Sequence, residues 1–213
     1  MTLALFAVAG TVVSLHLWFT ATYDLSASIT QGFFHVASFF TTSGFASADI
    51  CAWPDFDRSV LFLLACTGAC IGSPAGGLKV VRLIVLARLA HGELRRTLHP
   101  RMIVSIRLDG LAVPDKIASR ILAFFFLSVA VLIAGTLALA ATGTPILPSL
   151  GLAAGCLTST GQLAQLFGLD TAASLTPAAK LIAALLMLIG RAEIFAFFML
   201  GAIAAEKARK KWG

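Results

Sequence analysis

Charge is what this chain has least of. Only 12% of its 213 residues are Asp, Glu, Lys or Arg, where a soluble domain carries about a quarter. Together with 59% hydrophobic residues and a mean hydropathy of +0.94, that scarcity excludes an ordinary soluble domain and leaves an integral membrane protein. Cysteine is sparse as well: Cys51, Cys66, Cys70 and Cys156, with no C-x-x-C and no accompanying His cluster. Neither a metal centre nor a disulfide framework is expected from that set; the thiols read as small buried hydrophobes. No basic stretch precedes the first apolar run, so it does not read as a cleaved signal. No nucleophile–base pair is in evidence. GSPAGG at 72–77 has the composition of a phosphate cradle but lacks the G-K-[S/T] ending. No enzymatic chemistry and no cofactor are expected.

The net charge of +6 could suggest nucleic acid, but its distribution along the chain argues otherwise. Lys79, Arg82, Arg88, Arg95, Arg96, Arg101, Arg107, Lys116 and Arg120 fall in one stretch, and Lys207, Arg209, Lys210 and Lys211 close the chain. Asp24, Asp49, Asp55, Asp57 and Asp170 fall outside both stretches, on the side expected to face out. This is the positive-inside pattern: it predicts a cytoplasmic 79–120 region and C-terminus, and no nucleic-acid partner.

The stretch from Leu61 to Leu89 is apolar at both ends and broken in its middle by Gly68, Gly72, Pro74, Gly76 and Gly77. Glycine costs a helix about 1 kcal/mol against alanine, and proline about 3. Irregular backbone at membrane depth survives only where it is buried in protein or lines a wet cavity, so a broken span points to an ion or substrate path.

In chain order, Leu3 to Phe19 reads as a span. Ser28 to Phe40 is apolar but too short to cross, and it runs into Thr41, Thr42, Ser43, Gly44 and Phe45. An acidic loop follows, with Trp53 as an expected interfacial anchor, and then the broken span. Ile117 to Ala141 is a second span, Leu147 to Leu157 a second short segment, and Ala178 to Ala205 a last span. The order therefore repeats. Thr41, Thr42, Ser43 and Gly44 align without a gap on Thr158, Ser159, Thr160 and Gly161, 117 residues later. The same shift sets Ser73 and Pro74 opposite Gly190 and Arg191. The expected fold is an all-α integral membrane protein of two span–pore helix–span repeats of the potassium-channel-like type. Repeat one occupies 1–90, a basic cytoplasmic linker 91–116, repeat two 117–205 and a basic tail 206–213.

In such a unit the half-helix points its partly negative C-terminal end at the pore. The turn beyond it offers carbonyls in place of the ion's hydration shell. Glycine serves where a carbonyl must turn inward, a role that fits Gly44 and Gly161. Thr41, Thr42, Ser43, Thr158, Ser159 and Thr160 fit the lining. Arg191 lies in the middle of an apolar run. A cation at the bilayer centre costs about 2.5–3.5 kcal/mol even on the lenient scale, so it should face a pore or a partner. Glu193, about 200° further round the helix, is expected to bond another helix.

These residues resemble the Trk/Ktr/HKT superfamily of potassium transporters, nearest the C-terminal half of the bacterial Trk membrane subunit. The carriers are TTSGF at 41–45, GSPAGGLKVVR at 72–82, HPR at 99–101, RLDGLAV at 107–113, TSTGQ at 158–162 and GRAEIF at 190–195. The resemblance implies K+ uptake through one gated pore ringed by four repeats in the bacterial inner membrane. Thr42 to Phe45 and Ser159 to Gln162 would be two of the four filter segments, binding K+. Gly72, Ser73, Pro74, Gly76 and Gly77 would form an intramembrane gating loop, with Arg191 as the pore arginine. It also implies a cytosolic nucleotide-binding regulatory subunit. Two repeats do not surround an axis, so a homo-oligomer or a further N-terminal half is expected. The sequence departs from the family where Gln162 and Leu163 follow Gly161 in place of Pro-Gly, and at Cys70, Ile71 and Pro74 in the loop. A non-conducting membrane protein that binds or regulates a partner is the alternative reading.

Overall fold

The computed structural model describes residues 2–68, 77–98, 107–108, 111–112, 115–169 and 175–191. Within them the chain forms seven helices: α1 (Thr2–Phe19), α2 (Leu25–Phe40), α3 (Asp55–Thr67), α4 (Val80–Leu98), α5 (Asp115–Ala140), α6 (Ile146–Thr158) and α7 (Pro177–Arg191). Short 3-10 turns occupy Ile50–Ala52 and Gly161–Phe167. Thr2–Phe19 and Ile117–Ala140 are long and apolar enough to cross a membrane, and their residues are mostly turned outward. At 13 residues, α6 would span only about 20 Å.

Local chemistry explains where the helices start. The first residues of α2 precede the expected Ser28 by nearly one turn. The Ser28 hydroxyl donates to the Tyr23 carbonyl at 3.1 Å and its N–H to the Asp24 carbonyl at 2.7 Å. Ser149 does the same at the head of α6, to Thr144 at 3.3 Å and Pro145 at 3.0 Å. The helix expected to open the broken span begins six residues before Leu61, at Asp55. Asp55 and Asp57 occupy the first turn of α3, where the positive end of the helix favours carboxylates. At the other end α4 continues through His91 to Leu98, into the polar linker, because Glu, Leu and Arg are good helix formers whatever their polarity.

One feature departs from an all-α chain. Arg107–Leu108 pairs antiparallel with Leu111–Ala112. The sequence between them, Asp109-Gly110, is a hairpin-turn dipeptide.

Small residues let the helices approach. A methyl group on Gly32 of α2 would strike the backbone of Ser14 on α1 at 3.0 Å, the close-packed interface that membrane helices favour. One core cluster joins Val13, Leu17, Val36, Phe39 and Leu61 of the first half to Ala154, Leu163 and Leu166 of the second. A second cluster, with Leu139, Leu152, Cys156, Ala179, Ala183 and Leu186, joins α5, α6 and α7. His16 Nδ1 lies 2.8 Å from Oδ2 of the fully buried Asp57, tying α1 to α3. Arg82 lies over the Phe124 ring at 4.2 Å, tying α4 to α5.

Trp53 is not an interfacial anchor. It is 2% exposed and wedged edge-on against His35, with ring centroids 4.7 Å apart, and against Tyr23. The acidic loop folds inward over α2 and carries its indole into the core.

Candidate functional site

Both short helices end in the same way. Beyond α2, the Thr42 N–H donates to the Phe39 carbonyl at 3.2 Å and the Ser43 N–H to the Ser38 carbonyl at 3.0 Å. Beyond α6, the Thr160 N–H donates to the Gly155 carbonyl at 2.9 Å. The bonds from Ser43 and Thr160 are six-to-one closures, which need a left-handed residue at the turn, usually glycine. Here Thr42 takes φ 56° and Ser159 φ 61°, two non-glycine residues 117 positions apart. A left-handed conformation costs an L-residue about 1–2 kcal/mol, and such strain gathers at functional positions.

The two turns meet. Gly44, at φ 72°, faces the second turn so closely that a Cβ on it would lie 3.4 Å from the Gly161 nitrogen and 3.6 Å from Thr160 Cγ2. Residues read as equivalent in sequence are thus neighbours in space. Gly161 has nothing within 4 Å where its Cβ would be. Past this contact the turns diverge. The first continues without regular structure, with the Ser38 hydroxyl donating to the Phe45 carbonyl at 2.7 Å. The second winds into the 3-10 segment, beginning with Leu163 N–H to the Thr160 carbonyl at 3.2 Å.

Thr41, Ser43, Phe45, Ser159 and Gly161 are exposed; Thr42, Gly44, Thr158 and Thr160 are buried, and Gln162 is half-buried. The Thr41 and Ser43 hydroxyls share a hydrogen bond of 3.0 Å, and the Thr158 hydroxyl donates to that of Thr160 at 3.1 Å.

Of the expected gate, Gly72, Ser73, Pro74 and Gly76 lie outside the described residues, as do Cys70, Ile71, Glu193 and the basic tail. Gly77 and Arg191 lie within them. Between α3 and α4, where the broken span was expected, the chain is closed at its neck, since the Leu78 N–H donates to the Cys66 carbonyl at 3.1 Å. Gly77 takes φ 87°, and a Cβ there would stand 2.9 Å from that same carbonyl oxygen. Only glycine satisfies both conditions. On α7, Gly190 packs directly on the Leu157 backbone. The exposed Arg191 is thereby placed beside the C-terminal end of α6.

Sequence reasoning passed over two side chains. His35, fully buried in α2, bonds the Gln31 carbonyl and meets the Ser47 N–H. Arg58 pairs with Asp55 and donates to the Leu166 carbonyl at 3.1 Å, capping the 3-10 segment from the first half of the chain. Cys51 contacts the neighbouring Gln165 carbonyl. A lone histidine in an apolar helix and a lone arginine among acids carry no motif, and the partners stand 12 and 108 residues away.

This arrangement has solved and curated counterparts. The crystal structure of the potassium transporter TrkH from Vibrio parahaemolyticus superposes with a TM-score of 0.79 at 29% identity, over 92% of this chain and 42% of that one. The Trk system potassium uptake protein TrkH of Salmonella typhimurium is 36% identical over 190 residues, 89% of this chain and 39% of that protein. The Trk system potassium uptake protein TrkG of Escherichia coli K12 is 31% identical over 193 residues, with the same shares. The chain thus spans about two fifths of the length of these relatives. The family model described as TrkH, cation transport protein, matches residues 1–211, and the chain belongs to that family.

Proposed function

We propose that the chain forms part of a gated pore for K+ uptake, built from two span–pore helix–span units: α1 with α2 and the broken α3–α4 span, and α5 with α6 and α7. The observation that carries this is the meeting of the two helix-end turns at Gly44 and Gly161, with their closures 117 residues apart. Two helix C-termini, each with about half a negative charge, converge on one place. Carbonyls of 42–45 and 159–162 then replace water around a cation. Left-handed turns at Thr42 and Ser159 support the reading, because a strained backbone there re-aims carbonyls without a side chain in the way.

In this reading the loop at 72–77, held by its closed neck, and Arg191 below the second turn form the gate. The rest of the ring comes from a second copy or from further repeats. The assembly sits in the bacterial inner membrane with the 79–120 face and the C-terminus inside. A cytosolic nucleotide-binding subunit docks on that basic face, whose charge suits an acidic surface.

The test is Rb+ and Na+ uptake by cells carrying the gene, compared with cells deleted for it. Rb+ uptake that K+ inhibits and Na+ does not is the expected result. No difference between the strains would leave a non-conducting, partner-binding membrane protein. Orientation is checked by cysteine substitution at Thr97 and Ala208, which should resist an impermeant label applied outside.

A further inference from the structure

Behind the first turn lies a brace that the second turn lacks. His35 is fully buried in α2. Its Nδ1 stands 2.8 Å from the Gln31 carbonyl, and its Nε2 lies 3.4 Å from the Ser47 nitrogen. A carbonyl only accepts and a backbone N–H only donates, so the ring carries its proton on Nδ1 and keeps a lone pair on Nε2. The Ser47 hydroxyl donates to the Gln31 side chain at 2.6 Å. Trp53 stands edge-on to the imidazole with ring centroids 4.7 Å apart, and its Nε1 reaches the Tyr23 hydroxyl at 3.4 Å. The segment that leaves Gly44 is therefore tied back to its own half-helix at Phe45, through Ser38, and at Ser47, through His35 and Gln31. In the second half the corresponding positions are Leu152 and Ala164, both buried and apolar.

We propose that His35 is a positioning residue for ion discrimination: its neutral ring holds the segment after Gly44 at a fixed distance from α2 and so fixes where the carbonyls of the first turn stand. The inference rests on the pore reading above. A site that selects among cations by carbonyl placement works only while its support holds that geometry.

The experiment places His35→Leu, His35→Gln and His35→Asn at the chromosomal gene, so that the complete transporter is tested, and measures initial Rb+ and Na+ uptake per amount of protein in the membrane. Glutamine sets an amide oxygen near where Nε2 stands and keeps the acceptor for Ser47. Asparagine has the same polarity but reaches only as far as Nδ1. The Rb+/Na+ ratio should fall about fivefold in the leucine and asparagine variants, the worth of one neutral hydrogen bond, and stay near wild type with glutamine. If the leucine protein does not reach the membrane, the asparagine–glutamine pair decides alone. An unchanged ratio with asparagine, or an equal fall with glutamine, overturns the proposal and makes His35 a packing residue. Wild-type cells without selective uptake would remove the pore reading itself, and this proposal with it.

Discussion

Gly190→Ala tests whether α7 is seated on the second half-helix as the structure has it. The new methyl carbon would lie 2.7 Å from Leu157 Cα and 2.8 Å from its carbonyl carbon, where carbon atoms pack best at about 3.5–4.0 Å. The obstruction is backbone, so no side chain can swing away. Nor can α6 retreat, because its opposite face is as tight: a methyl on Gly155 would meet the Thr160 carbonyl at 2.8 Å, and one on Gly151 the Leu163 carbonyl at 2.9 Å. The strain falls on α7, which must move away by about 1 Å and loosen Ala179, Ala183 and Leu186 in their cluster. Overpacking of this kind costs about 1–3 kcal/mol. Thermal unfolding of the purified protein in detergent is the assay, with Gly161→Ala as the control, since nothing stands within 4 Å of that position. The midpoint should drop for Gly190→Ala and hold for Gly161→Ala. Equal midpoints would mean that α7 does not rest on Leu157, and the placement of Arg191 beside the second turn would lose its support.

Gly161→Ala should leave folding intact yet lower Rb+ uptake, because its methyl enters the open space beside the proposed filter; unchanged uptake would take Gly161 out of the ion path. Arg58→Gln gives up a charge-assisted bond to the Leu166 carbonyl and the pairing with Asp55, and should cost about 1.5–3 kcal/mol in unfolding experiments. A loss below about 0.5 kcal/mol, the level of an ordinary surface substitution, would show that Arg58 does not cap the 3-10 segment. Arg191→Ala should raise Rb+ uptake by up to about a hundredfold, the effect of removing a unit charge about 6 Å from the ion at an effective dielectric near 20. Uptake that stays constant in a folded protein would make Arg191 a structural partner and set the gate elsewhere.

The succession of helices was legible because length and apolarity are local properties. Ser28 to Phe40 and Leu147 to Leu157 are too short to cross and too apolar to be loops, and the structure makes both helical. The turn residues were legible because T-x-x-G recurs at a fixed shift. Contacts made by single residues were not. Trp53 at the end of an acidic loop has the composition of an interfacial anchor, and only the fold of that loop delivers it to His35, 18 residues earlier. The extension of α4 to Leu98 was hidden because polarity ends an apolar run but not a helix. The pairing of 107–108 with 111–112 had its sequence signal in Asp109-Gly110, with too little flanking strand to stand out.

The two turns are alike in backbone and unlike in what secures them. The first is held by its own half, through Ser38, His35, Gln31 and Trp53. The second is held by close packing of Gly151 and Gly155 inside its own half and by Cys51 and Arg58 of the other. Cys51, Trp53 and Arg58 belong to one short stretch, the loop and helix start at 51–58. A perturbation there reaches both turns at once, while one confined to α6 reaches its own turn directly and the first only through the Gly44–Gly161 contact. Mutations at 51–58 should therefore alter ion discrimination more broadly than equally destabilising changes in the second half. The two turns share a backbone closure, and the stretch at 51–58 is where both of them find support.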